Sequence, residues 1–366
     1  MSLNSKHLIS LYLIIIFIIP TCSSQEKVSN LGIFGRSRLK SVIGQDGCTS
    51  IEIDKNTMMW TFGDTLTGDW KGVVTVDSTF EKVTNMKGMI SNSLAFTNMP
   101  DDKNINNLKF IFSKENNKVT QFIKNKPGEN PFMYKFWAVD GIKIGNIVYV
   151  YYMIVRIQMN NKLVPFKVTG MGIGKLNIHK KHRKKMPLKF IRIGKLFKSG
   201  MPTFGDSVIR HNGYIYLAGH GKSKKKVYAY ISRVKPSGLI KRKAYEFLEN
   251  GGKWSGKFNK RDGFFGDVAG ELSISYNKFL KSYIIIYCSL LGKIKLVKFK
   301  NFKDLKKAET KIIYVPKKLK KIKNRPFLLY YSGKEIFHTK EAIYAIYIHP
   351  AIYQPILIKI PYVSLN

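Results

Sequence analysis

Asp46 and Asp64 are the residues of this chain whose type and spacing most directly suggest chemistry. Asp46-Gly47-Cys48-Thr49-Ser50-Ile51 and Trp60-Thr61-Phe62-Gly63-Asp64-Thr65 flank a polar turn at Asp54-Lys55-Asn56. Ile51 and Ile53 alternate with polar neighbours, as do Met58, Trp60 and Phe62, so the two runs read as an antiparallel hairpin. Centred on Lys55, the hairpin puts Asp46 nine residues before the turn and Asp64 nine after it. Residues directly opposite have Cβ atoms about 5 Å apart, so two carboxylates face each other at its open end. Like charges that close raise one another's pKa, which makes the pair costly for stability and suited to acid/base work.

The elements that must position this pair are short strands. Met58–Phe62, Ile147–Tyr151, Tyr214–Leu217, Tyr283–Tyr287 and Ala342–Tyr347 are apolar runs separated by turn residues, and long helical patterns are nearly absent. The later runs recur every 60 to 70 residues, a period that suits a four-stranded propeller blade with decorated loops. The expected fold is therefore all-β, a five-bladed β-propeller forming a single domain. Asp140, Asp206 and Glu271 open the strand before their respective runs, as Asp46 does before its own. Rotation about a propeller axis would bring these four acids to one mouth of the channel. The competing reading is structural, since Asp-Gly is ordinary turn chemistry and a strand-end Asp often caps backbone N–H groups. Trp60, Trp137 and Tyr151 have the same ambiguity, as core residues or as sugar platforms.

Composition bounds the setting. Lys6 and His7 precede an apolar run from Leu8 to Ile19, then Pro20-Thr21-Cys22-Ser23-Ser24, which fits a secretory signal over residues 1–22. Cys22 followed by serines also resembles a lipoprotein cleavage site. The expected location is thus secreted or anchored by an N-terminal lipid, with residues 23–40 as a lead-in and 41–366 as the propeller. Beyond Cys22 only Cys48 and Cys288 remain, too few for a disulfide scaffold, and two separate buried thiols are expected ahead of the alternative, a single bridge between them. The formal charge is +40, from 63 Lys and Arg against 23 Asp and Glu; 53 of the basic residues are Lys. The runs His179–Lys185, Lys222–Lys226 and Lys317–Lys323 lie between strand-like segments and read as solvated loops. In an exported protein they suit an anionic glycan or membrane surface better than nucleic acid. His179 and His182 form an H-x-x-H pair whose surrounding cations oppose a metal. No motif demands a cofactor, although the acids leave room for a structural Ca²⁺. The chain is expected to be a monomer.

These motifs resemble a family of bacterial five-bladed propellers, formerly of unknown function, that includes endo-D-arabinanases. The resemblance rests on D-G-C-T-S-I and W-T-F-G-D-T, S-N-S-L-A at Ser91–Ala95, F-W-A-V-D-G-I at Phe136–Ile142, and the later G-D-S-V-I, N-G-Y-I-Y, G-E-L-S-I-S-Y-N and Y-I-H-P. It spans roughly Ser41 to Pro361. It implies that Asp46 and Asp64 match the family's acidic pair, that Asp140 and Glu271 match further acidic positions, and that Asn92 and Trp137 can contact sugar. Asp206 stands where other members often carry a small residue; with His220 it completes the candidate substrate contacts. The strong positive charge and the Lys-rich 179–186 insertion depart from the family pattern. Three functions follow as expectations: hydrolysis of a polysaccharide such as a D-arabinan, non-catalytic binding of a glycan or protein at the cell surface, or binding of an anionic polymer through the lysines.

Overall fold

The structure, a computed structural model, describes residues 27–158, 165–178, 188–319 and 328–365. The signal segment, Cys22, His179, His182 and most of the lysines of the first and third basic runs lie outside these residues. The described chain is all-β apart from single helical turns.

Five antiparallel sheets carry the fold. Sheet I pairs Thr49–Asp54, Thr57–Phe62, Ser93–Asn98 and Ile111–Phe112. Sheet II is the meander Tyr134–Ile144, Ile147–Ile157, Phe166–Asn177 and Phe190–Lys198. Sheet III begins with Ser207–His211, Tyr214–Ser223 and Lys226–Val234, and sheet IV with Val268–Asn277, Ser282–Ser289 and Ile294–Phe299. Sheet V contains Tyr331–His338, Ala342–His349 and Gln354–Pro361. All five apolar runs noted in the sequence are second strands, buried on both faces; in Ser282–Ser289 and Ala342–His349 every residue is buried.

The first strands contact one another in the order I, II, III, IV, V, and the strand of sheet V touches that of sheet I. A closed circuit of meanders is the architecture of a β-propeller, which leaves few free edges. Serines stitch the circuit. Ser207 Oγ donates to the Ile274 carbonyl at 3.2 Å and accepts the Ile274 N–H at 3.0 Å. Ser273 Oγ accepts the Glu335 N–H at 2.7 Å, and Ser50 Oγ donates to the Ile336 carbonyl.

Ser29–Ile33 lies in the segment read as a lead-in that closes the ring or packs beneath it; it is the fourth strand of sheet V and pairs antiparallel with Gln354–Pro361. Without it that strand would expose a row of unpaired backbone groups, so both ends of the described chain close one sheet. Cys48 and Cys288 are separate buried thiols, each pushed up to about 12 by burial.

A further small sheet matters to the site. Thr65–Trp70 and Thr84–Ile90 form a hairpin beginning immediately after Asp64, and Gly44–Gln45 adds to its edge. Behind it, Arg38 is fully buried. Its guanidinium donates to the Phe34 carbonyl from Nε at 3.1 Å and Nη2 at 2.7 Å, to Gln354 Oε1 at 3.2 Å, and to Gln45 Oε1. Gln45 Nε2 in turn donates to Ser93 Oγ at 2.9 Å and Thr65 Oγ1 at 3.3 Å. This network fixes the residues next to Asp46, Asp64 and Asn92.

Candidate active site

The hairpin register is the expected one. Asp54 pairs with Thr57 around the Lys55-Asn56 turn, and Ile51 with Met59, Ser50 with Trp60 and Thr49 with Thr61. Beyond the ladder, the Asp46 N–H donates to the Asp64 carbonyl at 3.0 Å and the Asp46 carbonyl accepts the Gly63 N–H at 2.9 Å. The two acids thus lie across from each other in the short connections between strands, on segments joined by these backbone hydrogen bonds. Both are half-buried.

Their environments differ. Burial, then the charges of Asp64 and Glu271, hold the Asp46 carboxyl well above the usual carboxylate range, against hydrogen bonds from Tyr353 and Tyr331. The Tyr331 hydroxyl donates to Asp46 Oδ2 at 3.3 Å. Burial pushes Asp64 up to about 7, while the Trp137 N–H and the Lys135 charge pull it down. Trp137 Nε1 donates to Asp64 Oδ1 at 2.8 Å. Trp137 is half-buried, with Phe166 packed edge-on at 4.9 Å, whereas Trp60 and Tyr151 are fully buried core residues.

Gly63 is small for a reason. A Cβ there would sit 2.6 Å from Asp46 Oδ1, closer than real contacts allow. Gly63→Ala is therefore expected to displace the Asp46 carboxylate, and a reaction run on that carboxylate would slow by at least about tenfold, since a displacement of about 1 Å can cost 10²-fold. Paired measurements of kcat/KM and of the thermal midpoint check this; a loss in melting temperature matching the loss in activity would mean the fold, not the carboxylate, had moved.

Glu271 sits in the irregular start of the first strand of sheet IV, accepts a hydrogen bond from Ser332 Oγ, and is raised by burial, with Lys334 opposing. Its charge reaches Asp46 and Tyr331. The matching irregularity in sheet V, between Tyr331 and Lys334, holds Ser332 and Gly333 in place of an acid.

Asp140 is 6% exposed and both its oxygens are engaged. Oδ1 accepts the Gly141 N–H at 2.6 Å and Oδ2 the Val208 N–H at 2.7 Å, joining sheets II and III; burial raises it to about 6. Asp206 is fully buried, its Oδ2 accepting from Thr203 Oγ1 at 2.8 Å and the His220 N–H at 3.1 Å, and lying 2.6 Å from His220 Nδ1. Burial pulls His220 down, but the Asp206 charge and hydrogen bond outweigh it and the imidazole is raised. Glu271 adds to that upward pull, placing the Asp206–His220 pair beside the cluster. Asn92 is fully buried and spent on backbone: Oδ1 accepts the Phe122 and Ile123 N–H groups, both at 2.9 Å, and Nδ2 donates to the Phe136 carbonyl at 2.9 Å.

The structure thus brings Asp46, Asp64, Glu271 and Trp137 together, sets Asp206 and His220 at their side, and uses Asp140 and Asn92 as braces. Tyr331, Ser332, Lys334 and Tyr353 are site residues that sequence reasoning missed. The start of the first strand of sheet V, Tyr331–Lys334, carries no acid and so showed no repeat signal. Among the described residues, no group of three or more His, Cys, Asp and Glu side chains is arranged to hold a metal ion.

The sequence matches the model of the domain of unknown function DUF4185 over residues 37–359. The chain belongs to the DUF4185 family. No curated protein sequence matches it. Among solved structures, this DUF4185 chain is similar to a proposed hydrolase from Bacteroides ovatus ATCC 8483, at a TM-score of 0.61 and 15% identity over 87% of this chain and 86% of the other. At that identity the likeness is one of fold. A GH43_1 enzyme from Xanthomonas citri aligns at a TM-score of 0.47 and 9% identity, over 88% and 91% of the two chains. RS223 β-xylosidase aligns at 0.47 and 12%, over 86% and 91%.

Proposed function

We propose that this DUF4185 protein is an exported five-bladed propeller that hydrolyses a polysaccharide, of which D-arabinan is the first candidate. One observation carries the reading: two acids lie across from each other on backbone-bonded segments at the open end of the hairpin, both raised by burial and each given different hydrogen-bond donors. Glycoside hydrolysis needs one carboxyl that holds its proton at neutral pH and one that readily loses it. Asp46, hemmed in by Asp64 and Glu271, is the general acid that protonates the leaving oxygen. Asp64, on the Trp137 indole N–H, is the base or nucleophile. Glu271 raises Asp46, Asp140 braces sheets II and III beside them, and Trp137, His220 and Asp206 line or support the sugar-binding surface. The fold shared with the Bacteroides hydrolase supports this reading, as does the resemblance of the motifs to endo-D-arabinanases. Residues 1–22 act as the export signal and Cys22 as a lipid anchor in the lipoprotein form; the protein works as a monomer without a cofactor, and the lysine-rich loops, such as the exposed Lys222–Lys226 turn, hold it near anionic glycan.

The assignment of roles has a pH signature. Trp137→Phe removes the N–H that stabilises ionised Asp64, so the Asp64 pKa rises from about 7. A base must be deprotonated, and the acid limb of the kcat/KM profile is expected to move to higher pH by about one unit. Movement of the alkaline limb alone would reverse the two roles.

A non-catalytic glycan-binding propeller is the rival. Asp46→Asn decides between them. An enzyme loses turnover while keeping affinity for the oligosaccharide; a binding module shows no turnover in either form and only a graded loss of affinity.

A further inference from the structure

Lys334 is the only buried lysine among the described residues, 1% exposed. Its Nζ donates to Thr49 Oγ1 across the junction between sheets V and I. Among the described residues it makes no ion pair within 4.0 Å. It lines a cavity of about 490 Å³ shared with Asp140, Ser207, Ser273 and Glu335. Two residues earlier on the same strand, Ser332 holds Glu271. An unpaired ammonium in such a place is expensive, and a methionine of similar volume would ordinarily serve stability as well or better. The compensation lies in the acids that converge from the neighbouring sheets.

We propose that Lys334 is a positioning residue for the acid cluster: its buried ammonium, held on the Thr49 hydroxyl, favours the ionised form of the carboxylates around it. The inference rests on the glycosidase reading for its purpose, not for its test. The groups that face Lys334 come from each packed element. Sheet I presents Thr49 and the Cys48 thiol, sheet II Asp140 and sheet IV Glu271, and its own strand adds Glu335, whose Oε1 lies 2.6 Å from His338 Nδ1. The Lys334 charge lowers Asp140, Glu271 and Cys48 alike. It is the largest influence opposing burial at both acids. Glu271 raises Asp46 in turn, so ionised Glu271 helps Asp46 keep its proton. Lys334 therefore reaches the proposed general acid through Glu271, without touching substrate.

The test is Lys334→Met in the mature protein, with Asp and Glu carboxyl carbons followed by NMR across the pH range. The midpoints of Asp140 and Glu271 are expected to move to higher pH by about one unit or more. Lys334→Arg should restore them, because charge rather than shape is the agent. Lys334→Gln keeps a donor for Thr49 and removes only the charge; it gives the same reading if the Met variant does not fold. Unchanged midpoints in either folded neutral variant overturn the proposal. Because the titration needs no substrate, a failure of the glycosidase reading would appear as absent turnover in wild type and leave this result standing. Where turnover is present, the alkaline limb of the pH–rate profile in Lys334→Met moves to lower pH, because a less ionised Glu271 lets Asp46 lose its proton sooner, which a purely structural role would not cause.

Discussion

Asp64→Asn is expected to lower kcat/KM on a cleavable glycan by about 10³-fold or more, the loss typical of removing an acid/base or nucleophilic group. The same substitution should leave the fold intact and, above pH 7, raise the melting temperature by up to a few degrees. The sign follows from linkage. Burial lifts the Asp64 carboxyl from 3.8 to about 7, so the folded protein binds a proton that the unfolded chain has released. Stability therefore falls as pH rises from about 4 to about 7, and an amide side chain is free of that penalty. The difference between variant and wild type should shrink toward zero near pH 4. Melting curves at pH 4, 6 and 8 measure it. A large destabilisation at every pH would instead mark Asp64 as a capping residue, the structural reading that any strand-end Asp invites.

Arg38→Met should have the largest effect on stability, a loss of about 3–5 kcal/mol from the several buried acceptors it would orphan. Arg38 is fully buried, and burial lowers its guanidinium to about 10. Its donors satisfy the Phe34 carbonyl, Gln45 and Gln354. Methionine fills much of the volume and leaves those acceptors unpaired in the interior, where each costs about 1–3 kcal/mol. For a chain of this size the melting temperature should drop by roughly 6–15 °C. Activity of the remaining folded protein should fall too, because Gln45 adjoins Asp46 and bonds Thr65 and Ser93. Denaturant unfolding, read together with kcat/KM below the melting point, checks both. A melting temperature within a degree of wild type would show that the network is dispensable.

The second strands and the register that sets Asp46 opposite Asp64 were legible in the sequence because both have local signals. Apolar runs such as Ile284–Ile286 within Tyr283–Tyr287 stand out against polar turns, and the register from Asp46 to Asp64 follows from counting residues about Lys55. Even the recurrence of Asp-Gly, Gly-Asp and Gly-Glu had a backbone cause: Gly47, Gly205 and Gly270 adopt positive φ at the starts of three first strands. The fifth start uses Ser332, also at positive φ, and so gave no glycine to recognise. What the sequence hid is long-range. Tyr331, Lys334 and Tyr353 reach Asp46 and Thr49 from nearly 300 residues away, and only the closed circuit of sheets brings them there. Nor can residue type show how a polar group is spent. Asn92 and Asp140 look as available as Asp64 in one dimension, yet their oxygens are taken by backbone N–H groups of neighbouring segments. Ser29–Ile33 was obscure for a similar reason, since its pairing partner is Gln354–Pro361 at the other end of the described chain.

The most direct test of the acid pair is release of reducing ends from a panel of polysaccharides, D-arabinan included, by the protein from Ser23 onward beside its Asp64→Asn variant. The account predicts oligosaccharides from wild type on at least one polymer and none from the variant. Silence from a folded wild type across the panel, or equal release by both proteins, would contradict it.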